Sequence, residues 1–185
     1  MTPPVFQMQP DENTIGLFAS TSIGAIRMAM THLVDQLRQR DDCQVLPPTG
    51  VPSVGLPLPS GVEEFYRLCG GATLFQGADY SIDIVAPSDF VRANPVIVGE
   101  DGAGDISYDW FVIAKTGEQY ITIDINESRS GRCYDSFWDR HGVAGECQVV
   151  ATSFERLLEQ LIEGHGAYWY WLEDEFQSLG DAYDE

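Results

Sequence analysis

The sequence predicts an α+β domain in which a single antiparallel sheet is flanked by N-terminal and C-terminal helices. Apolar residues recur at the helical period near both ends of the chain, whereas residues 73 to 150 show strand-like alternation between turn residues. The turns are short, so successive strands must run antiparallel, because a parallel crossover needs a dozen or more residues. A chain of 185 residues, 44% apolar and 21% charged, is long enough for one domain with a sizeable core.

The predicted organisation is an arm, one domain and a tail. Residues 1 to 14, rich in proline and polar groups, form a flexible arm, residues 15 to 180 form the domain, and residues 181 to 185 form an acidic tail. The N-terminus has neither the basic nor the apolar region of a signal peptide, and no apolar run is long enough to cross a membrane. We therefore expect a cytoplasmic protein with no membrane partner.

A first helix is predicted over residues 22 to 40, where apolar side chains repeat every three or four positions. His32 falls on the opposite face of this helix and is expected to be solvated. Five prolines then mark residues 46 to 61 as an extended connector, because each proline lacks a backbone donor.

The second helix begins directly after this connector. Ser60 and Glu63 have the spacing of a capping box, in which the serine caps an amide of the first turn and the glutamate reaches back. Gly70 and Gly71 are predicted to end the helix, since glycine adopts a left-handed C-cap at little cost.

The strands of the middle region are set by alternation and by turns. Residues 80 to 84 alternate, and residues 110 to 114 are apolar on both faces, which indicates a central strand. A turn at 115 to 118 leads to a strand over 120 to 125, and a further turn leads to a strand over 133 to 138.

Two C-terminal helices complete the prediction. In the first, Thr152 and Glu155 form a second capping box before a regular apolar stripe that ends at Gly164. The second helix covers residues 167 to 179, whose four consecutive aromatic residues exceed what one buried stripe can hold, so some of them are expected to point outward.

Charge is the most informative property of the composition. The formal net charge is −19, Lys115 is the only lysine, and the acidity increases toward the C-terminus. Direct nucleic-acid binding is excluded, because a phosphate backbone would repel such a surface. The acidic side chains are either simply solvated faces or a docking surface for a basic partner.

No established catalytic or metal-binding motif is present. The sequence contains neither a phosphate-binding glycine loop nor a nucleophile elbow. The four cysteines form no Cys-x-x-Cys pair and are expected to be buried free thiols. Cys133, His141 and Cys147 could share a metal, but their spacing matches no established zinc pattern, so no cofactor is predicted.

The acidic loop GEDGAGDISYD, residues 99 to 109, allows several interpretations. It could be a solvated hairpin loop, part of a partner-binding surface, or a calcium site, although it lacks the EF-hand pattern. Paired carboxylates of the kind used in glycoside hydrolysis are the enzymatic interpretation of the same residues.

An ordered set of features resembles the SUKH superfamily, which includes yeast Smi/Knr-type cell-wall regulators and many bacterial immunity proteins. The set comprises the Leu-Pro connector at 56 to 59, a helix with Phe65, Cys-Gly-Gly-Ala at 69 to 72, the glycine-rich acidic loop and the TSFERLLEQL helix. The resemblance covers roughly residues 55 to 163. It implies an α+β fold that functions by binding, without a catalytic set.

The resemblance implies an immunity protein that neutralises a cognate bacterial toxin with a basic surface, such as a nuclease. A strongly acidic inhibitor would be steered to a basic cleft, and exposed aromatic residues would anchor it. The expected partner-binding residues are Glu100, Asp101, Asp105, Asp109, Trp138, Asp139, Tyr170 and Trp171.

Alternatives remain open for the function and for two of these residues. A regulatory adaptor or scaffold of the Smi/Knr type would bind several proteins, and a hydrolase would use paired carboxylates. Trp138 and Trp171 could instead be core residues, and core burial is the favoured interpretation for Trp138.

Overall fold

The computed structural model describes residues 12 to 184, which form four α-helices and one seven-stranded sheet. The helices are α1 (Glu12–Arg38), α2 (Ser60–Leu68), α3 (Ala93–Ile97) and α4 (Phe154–Gly164). The strands are β1 (Gln44–Val45), β2 (Ala72–Leu74), β3 (Ile82–Ile84), β4 (Trp110–Thr116), β5 (Gln119–Asp124), β6 (Cys133–Asp135) and β7 (Val149–Ala151). Short 3₁₀ turns cover Ile106–Asp109 and Tyr170–Leu172. None of the helices in this part of the chain could span a bilayer.

The sheet is an antiparallel meander whose strands lie side by side in chain order. β4 is the central strand, and its first five residues are buried on both faces, as the sequence predicts. A tight turn at residues 117 and 118 joins β4 to β5. The predicted strand over 133 to 138 ends at Asp135, because the chain turns away from the sheet at that point.

The helices α1, α2 and α4 contact one another and share one hydrophobic core with the sheet. Met30 and Leu37 of α1 are fully buried in this core. The rings of Phe65 in α2 and Phe154 in α4 meet edge to face, with centroids 5.2 Å apart. The predicted α+β fold, a single antiparallel sheet with N-terminal and C-terminal helices, is therefore confirmed.

The first helix is longer than the sequence predicts. α1 begins at Glu12, ten residues before the expected start at Ser22, so residues 12 to 14 are helical. The rest of the expected arm, residues 1 to 11, lies outside the described residues.

Both predicted capping boxes are wrong, although both helices exist. Pro59 occupies the N-cap of α2 and makes no side-chain cap. In α4 the cap is Ser153, one residue later than predicted, and its Oγ accepts a hydrogen bond from the amide of Arg156 at 3.3 Å. α4 ends at Gly164, as expected, with His165 adopting the left-handed conformation.

The glycines after α2 have a different role from the predicted C-cap. α2 ends at Leu68, and the C-cap residue Cys69 is extended. A methyl group on Gly70 would lie 2.3 Å from the carbonyl oxygen of Pro47, because the proline-rich connector passes directly over this backbone. The glycine pair therefore allows close approach of two chain segments.

The predicted helix over residues 167 to 179 is wrong. Only the 3₁₀ turn at Tyr170–Leu172 is helical, and the chain then continues as a segment that covers the outer edge of β7. The amide of Val149 donates to the carbonyl of Gly180 at 3.0 Å, and the amide of Ala182 donates to the carbonyl of Cys147 at 2.8 Å. This C-terminal edge segment, residues 180 to 184, blocks the edge against further strand pairing.

Candidate partner-binding site

The acidic loop, residues 99 to 109, connects α3 to the central strand β4. Its first two carboxylates, Glu100 and Asp101, are exposed, whereas the backbone beneath them is fixed. The side-chain amide of Asn94 in α3 donates to the carbonyl oxygen of Asp101 at 3.3 Å and to Ser107 Oγ at 3.0 Å. The loop therefore presents two free carboxylates on an anchored backbone.

The other two carboxylates of the loop are held by internal hydrogen bonds. Asp105 Oδ1 accepts from the amide of Ser107 at 2.8 Å and from the hydroxyl of Tyr183 at 2.9 Å. Partial burial raises the pKa of Asp105, but these hydrogen bonds outweigh it and the net pKa is lowered, which keeps the side chain ionised. Asp109 is half-buried and accepts from Asn126 Nδ2 at 3.0 Å.

A buried histidine links the acidic loop to the segment that follows β6. His141 is only 5% exposed, and its Nε2 lies 2.6 Å from Asn94 Oδ1. An amide oxygen can only accept, so the ring donates from Nε2 and leaves Nδ1 unprotonated. Nδ1 is buried and has no partner among the described residues. Burial lowers the pKa of His141 to about 4, so the ring is neutral at pH 7.

The C-terminal edge segment joins the same region through Tyr183. Its hydroxyl donates to Asp105 and lies 2.9 Å from the carbonyl oxygen of Gly142, one residue after His141. A groove of ≈ 460 Å³ is lined by residues of the C-terminal segment and by residues between 140 and 148. Its charged lining residues are Arg140, Glu146, Asp181 and Asp184.

Trp138 is exposed on the turn that follows β6, contrary to the favoured expectation of core burial. Its side chain is 68% exposed, and the neighbouring Asp139 is exposed as well. The amides of Arg140 and His141 both donate to the carbonyl of Phe137, at 2.8 and 2.9 Å, and close the turn. The indole is thus displayed on a rigid support.

The support beneath this turn is a buried carboxylate, Asp135, at the end of β6. It forms an ion pair with Arg140 and accepts a hydrogen bond from the indole nitrogen of Trp171 at 3.2 Å. Burial raises the pKa of Asp135, and the charge of Arg140 offsets part of that rise. The sequence analysis did not identify Asp135 as a candidate residue. Its position at the end of a predicted strand is the one feature of the sequence that could have indicated its role.

The expectation that Tyr170 and Trp171 point outward is wrong. Trp171 is 2% exposed and is held by Asp135, while the hydroxyl of Tyr170 donates to the carbonyl of Val150 at 2.8 Å. The cause is the missing helix, because the outward orientation was inferred from helical geometry that the chain does not adopt here. Both residues belong to the support of the sheet edge.

The buried carboxylates Asp124 and Asp135 are each paired with partners inside the domain. Asp124, at the end of β5, accepts from Trp110 Nε1 at 3.0 Å, Tyr134 hydroxyl at 3.2 Å and Arg129 Nε at 2.7 Å. With four polar partners, including the amide of Asn126, its oxygens are already engaged in packing the sheet. Asp124 and Asp135 each neutralise an arginine inside the domain.

The cysteines and histidines give no arrangement typical of a metal centre. Cys69, Cys133 and Cys147 are buried and Cys43 is half-buried, all as free thiols. Burial raises the pKa of Cys147 to about 12, so its thiol stays protonated. Between residues 12 and 184 no three His, Cys, Asp or Glu side chains group closely enough to hold a metal ion.

The structure therefore brings together part of the expected site and adds residues to it. The acidic loop, the turn with Trp138 and Asp139, and the C-terminal edge segment meet around His141 and Tyr183. Trp171 is buried and Tyr170 is half-buried, so neither adds an exposed aromatic ring to this assembly. His141, Tyr183 and the carboxylates of the groove were missed, because their contacts join segments 41 to 78 residues apart in the chain.

Comparison with known proteins gives two matches. Residues 53–160 match the SMI1/KNR4 family (SUKH-1), a segment that contains α2, strands β2 to β7 and most of α4. A protein of Bacillus subtilis (strain 168) named immunity protein YokJ is 47% identical over 160 residues, which is 85% of this chain and 97% of that protein. The resemblance noted in the sequence is thereby confirmed, and the chain belongs to the SMI1/KNR4 family (SUKH-1).

Proposed function

We propose that this chain is a non-enzymatic immunity protein that acts in the cytoplasm and neutralises a cognate toxin by binding it. The proposal is supported by the high identity to a protein named as an immunity protein. It is supported further by the net charge of −19, which suits a partner with a basic surface. A nuclease is the toxin class that must carry such a surface, since its substrate is a polyanion.

The observation that carries the proposal is the convergence of acidic groups and one exposed indole on three anchored segments. We define the acidic face as Glu100, Asp101, Asp105, Trp138, Asp139, Glu146, Asp181 and Asp184. Because hydrogen bonds fix its backbone before binding, little conformational entropy is lost on association. Rigid, pre-ordered surfaces of this kind favour tight complexes.

The charges and the indole would contribute to different steps of binding. Exposed carboxylates raise the association rate through long-range attraction, and they act most strongly at low salt. A tryptophan that becomes fully desolvated at the centre of an interface contributes mainly to a slow dissociation rate. We therefore assign steering to Glu100, Asp101 and Asp139 and anchoring to Trp138.

Survival of cells that express the toxin tests the proposed function directly. The open reading frame adjacent to this gene would be expressed alone and together with this protein in the same host. Rescue of growth by this protein supports the immunity function. A toxic neighbour that this protein neither binds nor neutralises would contradict it, and the adaptor alternative would then take its place.

Substitution of the exposed indole should weaken the complex without unfolding the domain. Trp138→Ala is expected to raise the dissociation rate of the toxin roughly 30-fold, corresponding to about 2 kcal/mol for an interface hot spot. Surface plasmon resonance measures the rate, and circular dichroism checks the fold. The matched control is Tyr168→Ala. Tyr168 is another exposed aromatic residue, but its ring packs against Tyr80, which is not part of the acidic face. Equal effects of the two substitutions would rule out Trp138 as the anchor.

A further inference from the structure

An apolar groove is formed by residues of α3, of the central strand β4 and of the loop between β3 and α3. Its volume is ≈ 250 Å³, and four valines supply most of its apolar lining. Val85 and Val112 are buried and form the floor, whereas Val91 and Val96 are 40% and 45% exposed and form the rim. We name this site, made of Val85, Val91, Val96 and Val112, the valine groove.

Exposed apolar side chains are concentrated at this rim. Twelve large apolar side chains are exposed between residues 23 and 184, and three of them lie between positions 91 and 98, namely Val91, Val96 and Val98. Single exposed apolar residues are ordinary on a protein surface, but a group of them around a concavity is typical of a binding site.

The rim is held in place before any partner binds. The amide of Val112 in β4 donates to the carbonyl of Val91 at 2.9 Å, which fastens the loop before α3 to the sheet. The amide of Val98 donates to the carbonyl of Asn94 at 2.9 Å and closes the single turn of α3. A preformed groove loses little conformational entropy when a side chain enters it.

The charges and the size of the groove restrict what can enter it. Lys115 and Asp89 both line it, with the ammonium nitrogen 3.9 Å from Asp89 Oδ2, so their charges cancel. Burying an unpaired charge is costly, and the group that fits this neutral hollow is therefore uncharged. The volume lies below the roughly 300 to 1,000 Å³ of small-molecule sites, and it suits a side chain of a protein partner better than a cofactor.

The valine groove adjoins the acidic face. Val96 and Glu100 are four residues apart in the chain, so their Cα atoms lie at most about 15 Å from each other. The exposed carboxylates of Glu100 and Asp101 thus stand close to the rim. A standard interface covers roughly 800 Å² of each partner, which is enough to include both the carboxylates and the groove.

We propose that the valine groove receives an uncharged aliphatic or aromatic side chain of the toxin, next to a lysine or arginine of the toxin that pairs with Glu100 or Asp101. This inference rests on the proposed function, and it adds the chemistry of the contact segment of the partner, an apolar residue beside a basic one. A second copy of the chain is unsuitable as the occupant, because a two-fold contact at this place would bring the same carboxylates of two acidic molecules together.

Val96→Asp tests the proposal, with the product of the adjacent open reading frame as the toxin. The substitution removes an apolar side chain from the rim and adds a negative charge, so attraction by charge alone would leave binding unchanged or make it faster. We expect a dissociation rate about tenfold higher without a slower association, as measured by surface plasmon resonance. Val96→Ala, which adds no charge, should raise the dissociation rate about threefold.

The matched control is Val51→Asp in the proline-rich connector. Val51 is 37% exposed and lies outside the groove, so this variant makes the same chemical change elsewhere. Circular dichroism verifies that all variants fold. If Val96→Asp dissociates no faster than the wild type or Val51→Asp, the valine groove is not an anchor, while the immunity function stands as long as the wild type neutralises the toxin. A wild type that neither binds nor neutralises the neighbouring product refutes the proposed function and the toxin as occupant together.

Discussion

At the scale of single residues, His141 shows how a buried polar group can fix a surface. Its ring contacts Trp110 edge to face, with centroids 5.6 Å apart, and its Nε2 holds the side chain of Asn94. Asn94 in turn holds the acidic loop from below. A protonated imidazolium would need an acceptor for Nδ1, and none exists there among the described residues. The site therefore requires the neutral ring.

This requirement predicts a pH dependence of stability. The pKa of His141 is about 4 in the folded protein and near 6.5 when unfolded, so the unfolded state binds more protons between these values. The contribution of the neutral ring is complete above pH 6.5 and is lost as the pH falls toward 4, by about 3 kcal/mol in all.

Urea unfolding at a series of pH values measures this contribution. His141→Gln keeps a donor for Asn94 but does not titrate, so its free energy of unfolding should fall less than that of the wild type between pH 6.5 and 4. His32→Gln is the control, because His32 is exposed on α1. Parallel pH profiles for the wild type and His141→Gln would contradict the assignment.

At the scale of the structural elements, the glycine pair after α2 shows a constraint that comes from packing and not from helix capping. The amide of Gly70 donates to the carbonyl of Leu46 at 3.0 Å, and the amide of Leu46 donates to the carbonyl of Gly71 at 3.0 Å. These two hydrogen bonds fasten the proline-rich connector to the sheet. Any side chain at Gly70 would separate the two backbones.

Gly70→Ala should therefore destabilise the domain, by about 2 to 3 kcal/mol, through the clash with the backbone of Pro47. Thermal unfolding measures the effect. Gly164→Ala serves as the comparison, because the added methyl group would have no atom within 4 Å apart from its chain neighbours and the backbone of its own helix. Alanine also favours the helix by up to about 1 kcal/mol. A Gly70→Ala variant as stable as Gly164→Ala would show that the connector can move aside freely.

The elements predicted correctly are those with several apolar positions in regular order. α4, β4 and β5 have a strong apolar periodicity, and this local pattern is sufficient to predict their secondary structure. The strand β1 and the helix α3 were missed, because two and five residues are too short to show a period.

The C-terminal segment was mispredicted for a different reason. Tyr170 and Trp171 have a helical pattern of apolar neighbours, but their polar atoms bond to Val150 and Asp135 in the sheet, and these contacts override local preference. The same limit applies to the site. The sequence identified Trp138, Asp139 and the acidic loop as candidates, whereas the long-range contacts of Tyr183 could come only from the folded chain.

At the scale of the whole molecule, nearly all of the charge that is left unpaired is negative. Nine of the ten basic side chains form ion pairs within the described part of the chain, several of them with buried or half-buried carboxylates. Few cations are thus left to balance the exposed acids. Surface pairs of this kind add little to stability, so their main effect is on the field of the molecule.

This field predicts the salt dependence of toxin association. The association rate should fall as salt increases, and Glu100→Gln with Asp101→Asn should lower it roughly threefold at low salt. The control is the double variant Glu118→Gln with Glu163→Gln, which removes the same charge outside the acidic face. Glu118 lies in the turn at the far end of β4. Stopped-flow kinetics compares the two. Equal losses would mean that net charge, and not the acidic face, governs the encounter.

The unequal burial of the four tryptophans has an optical consequence. Trp110, Trp169 and Trp171 are enclosed in the domain, while Trp138 alone is open to solvent. The fluorescence that acrylamide can quench therefore comes mainly from one indole, and that indole lies in the acidic face. A partner that covers the face will shield Trp138 from the quencher and shift its emission to shorter wavelength. The protein thus carries its own reporter of occupancy, and no label has to be attached.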